Sequence, residues 1–298
     1  MYKQITDNKI KSALLLTVFF AIIVLLGWWL SYYFETGPGI IIVAVVIATL
    51  MSLMSYFKGD AIALATAHAK ATSEQDNPAV YHLVENIAIT AGLPMPKLYI
   101  ITDPALNAFA TGRDPQHASI AITTGIIEAL ENEELEGVVA HELSHVKNFD
   151  IRLATVVIVC VGIITLIADF TLRGMFWGGR RSSSSEREGG GILMIIGLVL
   201  LILSPIFAQL IQLAISRKRE FLADASGSLL TRYPEGLARA LEKIGQSETP
   251  LRSANRATAH LYIADPFNKD NLKARVATLF STHPPIAERI KRLRNSNG

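Results

Sequence analysis

The chain has 298 residues, half of them hydrophobic and only 18% charged, with a mean hydropathy of +0.34, a balance too apolar for an ordinary soluble globule. Net charge is +2, and no cluster of Lys and Arg is interleaved with aromatics, so nucleic acid is not an expected partner. The single cysteine, Cys160, cannot close an intramolecular disulfide and reads as a small hydrophobe within an apolar run.

Four apolar runs approach or exceed the length of about 18 residues that crosses a bilayer as helix: Ala13–Phe34, Ile40–Phe57, Leu153–Leu172 and Ile192–Ile215. The first ends in Trp28, Trp29, Tyr32 and Tyr33, rings suited to the membrane interface. A second run follows after only ETGPG, so the pair reads as an uncleaved hairpin and not as a signal peptide. Lys3, Lys9 and Lys11 precede the hairpin and Lys58 follows it, while its turn has no basic residue, which puts both ends in the cytosol. The second pair is less simple. Its Gly/Ser-rich connector carries Arg173, Arg180, Arg181 and Arg187, and Asp169, Pro205, Gln209 and Gln212 interrupt the runs. A second hairpin keeps the flanking polar segments on one side of the membrane; a pair that dips in or packs on the protein is the alternative.

Between the pairs, Asn77-Pro78 with Val80, Leu83, Val84 and Ile87 predicts a capped amphipathic helix that stops at Gly92 and Pro94. Lys97–Thr102 and His117–Thr124 predict strands, with Asn107–Thr111 a short third one. Asn132 offers a helix cap, followed by Glu133, Glu134 and Glu136 at the positive end. From Tyr233 onward the chain reads as helices separated by loops around Pro250, Pro266 and Pro284. The organisation is therefore a hairpin (residues 1–57), a first polar part (58–152), the second apolar pair (153–215) and a second polar part (216–298).

The helix after Asn132 contains HELSH. His141 and His145 lie one turn apart on one face, so two imidazole nitrogens can converge on a zinc ion, and Glu142 beside them is placed to act as general base. Alone, the pattern also fits a polar helix with incidental histidines. A third ligand is found in REFLADA: Glu220 and Asp224 share a helical face among small and apolar residues, Glu220 as zinc ligand and Asp224 as acceptor for the free N–H of a ligand histidine, although an exposed helix pairing them with Lys218 and Arg219 reads the same way. Three protein ligands and an open position make a catalytic site.

HELSHVKNFD, REFLADA and STHPPIAERI, in this order and after two N-terminal spans, resemble the HtpX group of bacterial integral-membrane zinc metallopeptidases, relatives of the type I CAAX prenyl proteases. The resemblance covers nearly the whole chain. It implies an α+β, mainly helical, zincin-like domain facing the cytosol from the inner membrane, one Zn²⁺ on His141, His145 and Glu220, Glu142 as base, and cleavage of misfolded or damaged membrane proteins in envelope quality control. Asn148 and Asp150 match the group's pattern and support the end of the helix. NAFATG then resembles the edge strand on which zincins lay a peptide, with Asn107 and the Ala108 backbone as its contacts, a buried structural strand being the alternative. His283 is either an oxyanion donor or, beside two prolines, a residue that locks a loop. His68, His82, His117 and His260 have no partner at ligand spacing and are read as ordinary. A prenyl-peptide protease and a non-catalytic zinc-binding scaffold compete with the endopeptidase; an intact Glu142 favours an enzyme, since a scaffold needs no base.

Overall fold

The computed structural model describes residues 2–33, 35, 37–160, 217–253, 258–264, 266 and 284–295. Its first element, α1 (Tyr2–Tyr33), and its second, α2 (Gly39–Thr66), form an antiparallel pair, each with a stretch long and apolar enough to cross a membrane. Both exceed the apolar runs. The first begins well before Ala13, and the second continues past Phe57, so the expected boundary after residue 57 falls inside a helix. Leu14, Leu25, Ile42, Val46, Leu50 and Leu53 are exposed along the pair, as a lipid-facing surface requires. Residues 150–160 are helical (α6) and pack on the pair through Leu153, Val156 and Val157, against Leu15 and Phe19 of α1. Cys160 is buried in this cluster. The rest of the second apolar pair lies outside the described residues.

The polar half begins with β1 (Lys70–Ala71) and α3 (Pro78–Ala91), which ends at Gly92 in the left-handed region that glycine adopts without steric cost. β2 (Lys97–Ile101), β3 (Ala108–Gly112) and β4 (Ala118–Thr123) follow, and the sheet order is β1-β2-β4-β3, with β2 and β4 parallel and the two outer pairs antiparallel. Strand β3 is thus an edge, as expected, and β4 is central. His117 belongs to a tight turn before β4, and Thr124 opens a short helix, α4 (Thr124–Ala129), not foreseen from sequence.

Helix α5 (Asn132–Lys147) carries HELSH. Its cap is Glu131 and not Asn132: the Glu134 carboxylate accepts the Glu131 N–H at 2.9 Å, the reciprocal arrangement of a capping box. Lys243 Nζ then meets the same buried carboxylate at 2.7 Å. Helix α5 is polar by composition yet buried along most of its length, because α7 (Arg217–Thr231), α8 (Pro234–Gln246), α3 and β3 surround it. Two glycines permit this closeness. A Cβ on Gly137 would meet the Leu237 backbone N at 2.7 Å, and one on Gly227 would meet the His141 backbone N at 2.9 Å. The last helix, α9 (Ile286–Asn295), closes over α7 and α8.

Candidate metal centre

The approach of α7 to α5 at Gly227 brings Glu220 over the two histidines. His141 Nε2 and His145 Nε2 are 3.2 Å apart, and the Glu220 oxygens lie 3.8 Å from the first and 3.5 Å from the second. Ligand atoms from all three fall within 4.8 Å of one another. The outward nitrogens explain why. His141 Nδ1 is 2.9 Å from Asp224 Oδ1, and His145 Nδ1 is 3.1 Å from Asp150 Oδ2. A carboxylate behind each ring holds the proton on Nδ1 and leaves a lone pair on Nε2. With both rings neutral, two such lone pairs face each other at this distance and repel unless a cation, a proton or a metal ion, lies between them, and with Glu220 they make a donor set that can hold a metal ion.

The electrostatics show that the site favours positive charge, as a proton or as a metal ion. Burial draws the His145 imidazole down, but the Asp150 hydrogen bond and the Glu220 and Asp150 charges outweigh it and push the ring up to about 9. Burial also lowers His141. Glu142, buried beside Glu220, is pushed up to about 8, chiefly by loss of water, while the His145 charge and the Ala110 N–H work against the rise. Glu142, Asp150 and Glu220 line the pocket together, with Arg219 beside them, so the site is rich in carboxylates that a divalent ion would neutralise in part.

Asp224 is itself fixed by a residue that sequence reading passed over. Arg289, fully buried, donates Nε to Asp224 Oδ2 at 2.9 Å and Nη2 to Oδ1 at 2.7 Å. Burial would raise the Asp224 carboxyl, but the Arg289 charge and the His141 hydrogen bond bring it down to about 2. Arg289 Nη1 donates to Ile263 O at 2.9 Å. Within IAERIKRLRN this arginine looks like one more charge on an exposed amphipathic helix; it stands in STHPPIAERI, one of the stretches that carry the resemblance, but its spacing there assigns it no role. The alternative pairing of Lys218 and Arg219 with this carboxylate pair is not what holds Asp224; Arg219 Nη1 lies 3.8 Å from Asp150, and its charge interacts with Glu220 as well.

The base candidate is tied to the edge strand: Ala110 N–H donates to Glu142 Oε2 at 2.8 Å. The other groups expected to meet a peptide are engaged within the chain. Ile263 N–H donates to Ala108 O at 3.0 Å, Asn107 Nδ2 to Ala264 O at 3.2 Å, and Asn107 Oδ1 accepts from Ala108 N–H. An edge strand leaves a row of backbone groups to be satisfied, and residues 263–264 satisfy part of it. Tyr262, stacked edge-on against Phe109 at 5.0 Å, seats this segment. His260, read as ordinary, borders the same cavity, which has about 40 Å³ of space and is lined by Ala110, Glu142, Ala154 and residues 260–263 beside the three candidate ligands. His68, His82 and His117 lie away from it; His283 is outside the described residues.

Comparison with known proteins shows the family of the chain. Residues 74–297 match the profile of Peptidase family M48. Proteins described as protease HtpX homologues are 45% identical in Caldanaerobacter subterraneus subsp. tengcongensis, over 99% of this chain and 97% of the relative, and 45% identical in Lactobacillus acidophilus, over 98% and 99%. One from Tropheryma whipplei is 44% identical over 99% and 98%. The crystal structure of S. mikatae Ste24p superposes with a TM-score of 0.52 at 20% identity, covering 98% of this chain and 67% of that one, a likeness of fold.

Proposed function

The chain belongs to Peptidase family M48 as an HtpX homologue, hence a membrane metallopeptidase, and from that premise we propose a zinc-dependent endopeptidase of the bacterial inner membrane that cuts unfolded or damaged membrane-protein segments on the cytosolic side. The observation that carries the reading is the pair of Nε2 atoms 3.2 Å apart, each backed by a carboxylate, with Glu220 above them. His141, His145 and Glu220 would hold the ion. His₂-carboxylate donors suit zinc and leave a coordination position open. Bound there, zinc would supply Lewis acidity to a water and to the scissile carbonyl.

The remaining work belongs to the chain's own residues. Glu142 takes the water's proton on the oxygen not committed to Ala110 N–H and passes it to the departing amine nitrogen. Its anchoring to β3 fixes the base relative to the strand on which a peptide would lie. Asp224 and Asp150 keep both imidazoles in the tautomer that coordinates. An extended substrate pairing with Ala108 must take over the carbonyl now bonded to Ile263, so residues 263–264 have to leave the edge for a peptide to enter. Recognition through backbone groups accounts for broad specificity toward unfolded chains. The exposed apolar faces of α1 and α2 support placement in a bilayer.

Cleavage of casein by detergent-purified protein, with zinc restored after chelation, tests the reading. Glu142→Gln should retain the metal and lose cleavage; a Glu142→Gln protein that still cuts would remove the base. A prenylated peptide cut in preference to casein would move the substrate to the CAAX class.

A further inference from the structure

Asn8 lies on α1 ahead of the apolar run that opens at Ala13, yet it is only 3% exposed. A buried carboxamide needs partners, because leaving its N–H groups unpaired away from water costs free energy. Both partners are on one turn of the catalytic half: Asn8 Nδ2 donates to Asn148 O at 2.9 Å and to Asp150 Oδ1 at 2.7 Å. This turn joins α5 to α6 and is conformationally demanding. Phe149, between the two bonded residues, has φ +60°, a region bulky side chains seldom occupy. The Lys9 ammonium lies 4.4 Å from the Phe149 ring centre. Ser12 Oγ bonds Asn8 O at 2.8 Å, and Leu15 and Phe19 further along the helix pack on α6, so α1 is in fixed register with the turn.

The other Asp150 oxygen meets His145 Nδ1 at 3.1 Å. We propose that Asn8 is a positioning residue for the metal centre: it holds Asp150 in place behind His145, so that the N-terminal hairpin completes the site as well as anchoring the protein. This rests on the reading of His141, His145 and Glu220 as metal ligands. With one Asp150 oxygen bound to Asn8 and the other to His145, the carboxylate has no freedom to swing away. Arg219, 3.8 Å from Asp150 Oδ1, adds charge but no close bond. Without Asn8, the carboxylate sits at the end of a strained turn with one anchor fewer, and the imidazole loses its fixed aim.

The test uses the full-length protein in detergent and measures zinc affinity by competition with a chromophoric chelator, together with kcat and KM on a casein-derived peptide. Asn8→Ala should weaken zinc binding by about 10-fold, the lower end of what loss of an outer partner of a ligand costs. It should lower kcat with little change in KM. Asn8→Asp, which sets a second carboxylate against Asp150, should weaken binding further. In an Asp150→Ala background Asn8→Ala should add nothing, because its route is gone. Lys11→Ala, exposed on the same helix, should match wild type. Wild-type zinc affinity in Asn8→Ala, a fall in melting temperature of the metal-free protein without a change in affinity, or full additivity with Asp150→Ala would each overturn the proposal. Wild type that holds no metal would sink the metal-site reading itself; wild type that holds zinc beside an unaffected Asn8→Ala sinks this inference alone.

Discussion

His141 and His145 occupy one face of one helix and are backed by the same device, a carboxylate on Nδ1, yet the two supports are built from opposite ends of the chain. Behind His141, Asp224 comes from α7 and is clamped by a fork from α9 deep in the core. Behind His145, whose side chain is 15% exposed, Asp150 stands on a strained turn that the first helix holds through a neutral carboxamide. The difference teaches that one metal centre can draw on two unlike sources of rigidity. The inner support depends on a buried ion pair whose loss strands a charge; the outer one depends on docking of a membrane hairpin and is the more easily tuned.

The largest effect should come from breaking the inner support. Arg289→Met leaves the Asp224 carboxylate buried without its cation, and removal of one partner from such a pair costs about 3–5 kcal/mol. Urea unfolding of the detergent-solubilised protein should therefore show Arg289→Met strongly destabilised, while Asp224→Asn/Arg289→Met together recover part of the loss. Equal stability of Arg289→Met and wild type would mean that the fork is decorative. Next, Asp224→Asn and Asp150→Asn each should weaken zinc binding by roughly 10- to 100-fold. Chelator competition should place Asp224→Asn at the larger value, because the His141 ring is buried and the His145 side chain is 15% exposed; a reversed order would break the contrast between inner and outer support.

These expectations mark where the sequence was readable. HELSH and the Glu220/Asp224 spacing are local, each within one or two helical turns, so helical geometry alone aligns their side chains. Local alternation likewise found β2, β3 and β4, whereas the edge position of β3 came only from the family resemblance, with a buried strand as the alternative. The partners that hold the carboxylates are far apart in sequence: Asp224 meets Arg289 65 residues on and Asp150 meets Asn8 142 residues back, and no periodicity encodes such a meeting. Asn8 in particular reads as an unremarkable polar residue before a membrane span. The cap of α5 was missed for a smaller reason, since Asn132 is a good cap by type but Glu131 has Glu134 at the spacing that closes the box. Occupation of the β3 edge by residues 263–264 follows from tertiary packing of Tyr262 on Phe109, which the short strand itself does not signal.

Two smaller effects sharpen the comparison. Gly227→Ala should push α7 away from His141, costing about 1–3 kcal/mol as overpacking, and should disturb zinc binding on the inner side without altering the Asp150 turn; thermal unfolding and chelator competition on the same preparation would separate the two. The smallest change is expected for Arg294→Ala, which removes exposed pairs with Glu235 and Glu242 from the same helix that carries Arg289. Zinc content and casein cleavage should stay within about twofold of wild type, because solvent screens such pairs. A large loss there would mean that α9 acts on the site through its whole length and not through Arg289.

The most direct measurement is a zinc titration paired with casein cleavage on wild type, Glu220→Gln and Glu142→Gln, all purified in detergent and stripped with a chelator beforehand. The account predicts that wild type takes up a single ion and cuts, Glu142→Gln takes it up and does not cut, and Glu220→Gln binds it far more weakly. Zinc uptake by Glu220→Gln indistinguishable from wild type would contradict it, since the two imidazoles and Glu220 would then not form the metal centre.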